Sequence, residues 1–149
     1  DPARGGKLKL STESRYAIVG LSFLASRPDA IFEVSRVAEA AGLPAPFLAK
    51  IFGKLAHQGI LRSHRGKERG YSLARDATDI SLKGILEAVE GAELFEHCVF
   101  WTDACDVNEP CPLHDSWKTL RSQISEKMAA TSLADVSAGV GTAEISSRD

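Results

Sequence analysis

Between residues 35 and 73 the apolar spacing switches once, at Gly59, from a helical to a strand period. Upstream, Val37 and Ala41 mark one side of a short helix over Ser35–Ala41, and Gly42 stops it. Leu43-Pro44-Ala45-Pro46 follows, where Pro46 suits the first turn of a second helix carrying Phe47, Leu48, Ile51, Phe52 and Leu55. Two helices joined by about four residues around a glycine resemble a helix-turn-helix. Downstream, Ile60-Leu61-Arg62-Ser63 and Tyr71-Ser72-Leu73 read as strands around His64-Arg65-Gly66-Lys67-Glu68-Arg69-Gly70, a glycine-permitted turn crowded with cations. A helix-turn-helix running straight into a basic hairpin is the layout of a winged helix. The expected fold is therefore mostly α with a small β-hairpin.

The flanks are helical. Ser11 or Thr12 caps a helix to about Ser26, with Glu13 facing the positive end of its dipole. Ser81 caps another through Glu90, closed by Gly91. Residues 92–111 show no sustained period. From Pro112 to Ala130, Leu113, Trp117, Leu120, Ile124 and Met128 recur at helical spacing in a narrow stripe suited to pairing with another helix. Ser132 is expected to cap a last short turn through Val136, with a frayed tail beyond. The expected organisation is an N-terminal extension (1–7), a winged-helix domain (8–91), a loop (92–111), a long C-terminal dimerisation helix (112–136) and a flexible tail (137–149).

The net charge of −2 hides an asymmetry. Residues 1–75 hold thirteen Lys and Arg against six Asp and Glu, whereas residues 76–149 hold five against fourteen. Such a split suggests that a polyanion meets the first half. In a winged helix the second helix enters the major groove, so Phe47, Lys50 and Lys54 become candidate DNA contacts. Arg62, Arg65, Lys67 and Arg69 on the hairpin would neutralise phosphates or lie in the minor groove. The head of that helix reads Pro44-Ala45-Pro46-Phe47, where Pro and Ala offer apolar contacts, for example to thymine methyls, and no hydrogen-bond code. More discrimination then falls on Lys50 and the wing.

All three cysteines fall in one window, Cys98-x6-Cys105-x5-Cys111-x2-His114. No apolar h-region lies behind the first residues, so the expected compartment is the reducing cytoplasm, where clustered cysteines mean metal or redox chemistry more often than disulfides. Three thiolates and an imidazole can close one metal site, with soft donors selecting zinc or an iron–sulfur cluster. Structural zinc sites bring cysteines in closer pairs than these, which points to a cluster, although a Cys3His zinc site is also legal. Trp101 and Trp117 flank the window and suit shielding or an interface. No phosphate-binding glycine loop, G-x-S-x-G elbow or H-E-x-x-H pair is present, so an enzyme is not expected. The remaining alternatives are a zinc-stabilised winged-helix protein, a thiol-redox enzyme using Cys98 or Cys111, and a cluster-free protein-interaction module. No apolar stretch approaches the ~18 residues of a membrane span.

Lys9-Leu10-Ser11-Thr12, Arg15-Tyr16-Ala17, the helix-turn-helix, Arg65-Gly66 with Gly70-Tyr71, and then a three-cysteine loop together resemble the Rrf2 family of bacterial winged-helix regulators. The resemblance covers residues 8–136. It implies a homodimer, double-stranded operator DNA as partner, and a cluster on Cys98, Cys105 and Cys111 that senses redox state, iron or nitric oxide. His114 matches the C-x2-H arrangement of the iron–sulfur-assembly branch, which holds a 2Fe–2S cluster; three cysteines and one further ligand also suit a 4Fe–4S cluster. The nitric-oxide sensors of the family recruit an N-terminal Asp where this chain has Arg15, leaving Glu13 as the nearby carboxylate. The first cysteine gap, x6, is one residue longer than is usual in the assembly branch.

Overall fold

The protein is described here by a computed structural model over residues 11–92, 94 and 114–146. Its first helix, α1 (Thr12–Ala25), starts where Ser11 takes an extended conformation and its hydroxyl accepts the Ser14 N–H at 3.3 Å. This helix is apolar nearly all round and correspondingly central: Ala17, Val19, Leu21, Phe23 and Leu24 are all buried. Against it lie α2 (Val34–Ala41) and α3 (Ala45–His57). Gly42 closes α2 in the left-handed region at φ 70°, letting the Leu43 N–H reach back to the Ala38 carbonyl at 2.9 Å. That turn aims α3 across α1, where Leu48, Ile51, Phe52 and Leu55 are fully buried. Each such side chain contributes about 1.5–3 kcal/mol on leaving water. Gly20 makes the crossing close, since a Cβ there would sit 3.0 Å from Phe52 Cε1 and 3.2 Å from Leu48 Cδ1.

The wing follows directly. Strands β1 (Leu61–His64) and β2 (Gly70–Leu73) pair antiparallel, with Leu61 opposite Leu73 and His64 opposite Gly70. A single residue from the α1–α2 connection extends the ladder: Phe32 exchanges two backbone hydrogen bonds with Tyr71, at 3.1 and 2.7 Å. The Tyr71 ring meets Phe52 of α3 edge-on at 5.4 Å, and Phe32 meets Phe23 of α1 at 5.1 Å. Each aromatic pair adds about 1 kcal/mol to its area burial. The hairpin is thereby fixed to the helices that carry it.

Helix α4 (Leu82–Glu90) begins at Ser81, whose hydroxyl accepts the Gly84 N–H at 3.0 Å. Beyond the residues outside the description come α5 (His114–Ala130) and α6 (Leu133–Ser146). Their junction is stitched to the entry of α4, where Leu82 N–H donates to the Thr131 carbonyl at 2.8 Å and Leu133 N–H to that of Ile80 at 2.7 Å. One correction to the sequence reading follows. The chain breaks at Thr131-Ser132, where the sequence places the Ser132 cap, but the last helix runs to Ser146 instead of stopping at Val136. Ser132 and Asp135 form a reciprocal cap, each side chain accepting the other's N–H at 3.1 and 3.0 Å. The Gly, Ser and Ala content that suggested a tail with nothing to bury lets α6 lie along α1, with Leu133 fully buried and the Ser137 hydroxyl 3.2 Å from that of Ser22.

Candidate nucleic-acid interface

Filling one side of α3 with Leu48, Ile51, Phe52 and Leu55 turns the opposite side outward. Pro46, Phe47, Ala49, Lys50, Gly53 and His57 are exposed there, Phe47 to 59%. Arg62 on β1 and Arg65, Lys67 and Arg69 at the hairpin tip are also exposed. The head thus presents an outward helix flanked by a cationic wing, the arrangement that admits a helix to the major groove while arginines and lysines reach the phosphates. His64 turns to its own hairpin, with Nε2 2.7 Å from the Ser72 hydroxyl.

Lys54 is placed differently from the other candidates. Its Nζ is 3.1 Å from Glu13 Oε2 in α1, with both side chains about two-fifths exposed or slightly less (40% and 36%). The lysine therefore ties the reading helix to α1 and shares its charge with Glu13, the acidic residue noted at the start of α1. Beside them lies Glu90, the last residue of α4. Its Oε2 accepts the Ser11 N–H at 2.9 Å and the hydroxyls of Ser11 and Ser14, both at 2.5 Å. A carboxylate there satisfies an orphan donor at the start of α1 and faces the positive end of its dipole. Sequence offers no signal for this, because the partners stand 76 and 79 positions apart.

Burial works against ionisation of Glu90, yet the hydrogen bonds from Ser11 and Ser14 and the charge of Lys54 outweigh it and hold its pKa below the ordinary 4.5. A depressed folded-state pKa stabilises the protein above the unfolded value, and that stabilisation is lost as pH falls through the folded one. Glu90→Gln is expected to cost about 1 kcal/mol at neutral pH, the scale of a lost helix cap. Urea melts of the two proteins should converge as pH drops below 4.5. A gap that persists in acid would show that the charge of Glu90 is not what matters.

The proposed metal ligands Cys98, Cys105 and Cys111 lie outside the described residues, and His114 opens α5. Among the described residues no group of three His, Cys, Asp or Glu is placed to hold a metal ion. The apolar stripe of α5 is uncovered, with Leu120 52% and Ile124 42% exposed. Among the described residues no helix is long and apolar enough to cross a membrane.

Known proteins share both the sequence and this geometry. A family model described as "Iron-dependent Transcriptional regulator", Rrf2, matches residues 10–139. A protein of Aquifex aeolicus (strain VF5) that bears the name of an HTH-type transcriptional regulator is 32% identical over 124 residues, 82% of this chain and 86% of that protein. Among solved structures, CymR, the global cysteine regulator of B. subtilis, superposes with a TM-score of 0.73 at 23% identity over 89% of this chain and 98% of its own, a likeness of fold alone. IscR of T. potens does so with a TM-score of 0.69 at 27% identity, over 92% of this chain and 91% of its own. The family match spans the winged head, the cysteine window and α5 together, and the chain accordingly belongs to the Rrf2 family, whose members are transcriptional regulators and not enzymes.

Proposed function

We propose that this regulator works in the cytoplasm as a homodimer that binds double-stranded operator DNA and holds an iron–sulfur cluster whose state sets the affinity. The DNA contacts are Phe47, Lys50, Arg62, Arg65, Lys67 and Arg69, with Lys54 at the edge through the charge it shares with Glu13. The cluster ligands are Cys98, Cys105, Cys111 and His114. Three soft thiolates with one imidazole suit such a group, and the matched family is described as iron-dependent. When bound, the cluster supplies a centre whose charge and occupancy change with redox state, iron or nitric oxide.

The observation that carries this reading is what stands on either side of the cysteine window. On one side, α4 ends at Glu90, which binds Ser11 and Ser14 beside the Glu13–Lys54 pair, and Lys54 belongs to the reading helix. On the other, His114 opens α5, whose uncovered Leu120 and Ile124 suit a second copy of the chain. A change in the loop thus acts both on the seat of the reading helix and on the helix that sets the distance between two heads. Protein purified without air is expected to be coloured and to hold iron and acid-labile sulfide, with absorption and EPR spectra that change in His114→Ala. A colourless protein with stoichiometric zinc would replace the cluster by a structural metal. An unchanged spectrum and iron content in His114→Ala would remove the histidine from the ligand set.

A further inference from the structure

The outward side of α3 has an unusual chemistry for a reading surface. In its first two turns Pro46, Phe47, Ala49 and Lys50 face solvent, and among these only Lys50 carries a side-chain hydrogen-bond donor. Phe47 is not a core residue left over, since Leu48 and Ile51 beside it are fully buried and the core side of α3 is already filled. At 59% exposure it is the most exposed large apolar side chain among the described residues, one helical turn from Lys50. Gly53, farther along the same side, has nothing within 4 Å of where a Cβ would stand. Nothing inside the protein requires glycine there, although alanine is the better helix former. The omission leaves the helix bare where an external surface could come close. The cations around this side, Lys50, Arg62, Arg65, Lys67 and Arg69, match one occupant by charge, a DNA duplex.

In the major groove thymine is the base that presents a methyl group, and an aromatic ring is among the side chains that contact it. Resting on the DNA-binding reading above, we propose that Phe47 packs against the C5-methyl group of an operator thymine, and that apolar contact at this position carries specificity that a polar reading helix would obtain from hydrogen bonds. Lys50, one turn on, supplies the adjacent polar contact, and the bare side at Ala49 and Gly53 permits the approach. Ring and methyl are desolvated together, so the preference depends on one carbon atom of the DNA.

Uracil has the hydrogen-bonding edge of thymine without that methyl. The test selects a duplex from a random library with the full-length protein at low salt, then replaces its thymines one at a time by uracil. At one position in each half-site the replacement should weaken binding about fourfold per methyl, the factor for burying one carbon. In Phe47→Ala, which should melt like the parent because the ring is exposed, thymine and uracil duplexes should bind equally. Equal binding of both duplexes by the parent would overturn the assignment while leaving DNA binding intact, and a thymine preference that survives in Phe47→Ala would take it away from Phe47. If no duplex is enriched or bound at low salt, the DNA-binding reading falls and this one with it.

Discussion

Gly70→Ala is expected to lower the stability of the protein by about 3 kcal/mol or more, roughly 10 °C in Tm. Two effects add. Gly70 has φ 138°, a conformation that L side chains rarely adopt. A Cβ there would also run into the carbonyl group of Phe32 and come within 2.8 Å of the Glu33 nitrogen. These are backbone atoms and cannot swing aside. The chain at Phe32 must therefore separate from β2, giving up the Phe32–Tyr71 hydrogen-bond pair and loosening the ring contacts of Phe32 with Phe23 and Tyr71 with Phe52. Lost hydrogen bonds cost about 1 kcal/mol each and aromatic pairs a similar amount. Gly66 provides the comparison: its φ is 93°, but a Cβ there meets nothing within 4 Å. Gly66→Ala should cost only the conformational strain, about 1 kcal/mol. Equal melting temperatures for the two variants would show that Phe32 does not press on Gly70.

The same contact shows what was legible in the sequence. The helix-turn-helix and the hairpin could be read because each is local: Gly42 ends α2, Pro46 lies in the first turn of α3, and the period changes at Gly59. The narrow stripe of α5 was legible too, and Leu120 and Ile124 stand exposed on it. The attachment of the wing was not, because one residue, Phe32, makes it, and a single residue has no period. Glu90 escaped for a related reason. A C-terminal glutamate of one helix looks unfavourable for that helix's dipole, and its use becomes visible only when α1 is placed beside it. The extent of α6 is not legible because Gly, Ala and Ser carry no apolar period, and their value lies in letting two helices approach. For Lys54 the sequence showed the cation but not Glu13, which claims it from the opposite side.

Neutralising the wing as Arg65→Ala, Lys67→Ala and Arg69→Ala together is expected to leave folding unchanged and to weaken DNA binding at least a hundredfold at about 0.1 M salt. All three side chains are exposed, and the register that holds β1 to β2 uses none of them in the ladder from Leu61–Leu73 to His64–Gly70. The melting temperature should therefore stay with that of the parent. Affinity behaves otherwise, because each cation that neutralises a phosphate releases counterions and contributes about 0.9 to the slope of log K against log salt. Three such contacts in each head of the proposed homodimer amount to about five units of slope, and the parent and variant curves should converge toward 1 M salt. Loss of affinity with an unchanged slope would mean that the three residues contact bases or shape the hairpin instead of neutralising phosphates. An unchanged affinity would move the DNA contact off the wing. The net charge of −2 makes this measurement decisive, since the molecule as a whole repels DNA weakly and any steep salt dependence must come from a local patch. Arg62, nearer the body of the hairpin, remains in the variant, so the slope that survives reports what it and Lys50 contribute at the edge of the groove.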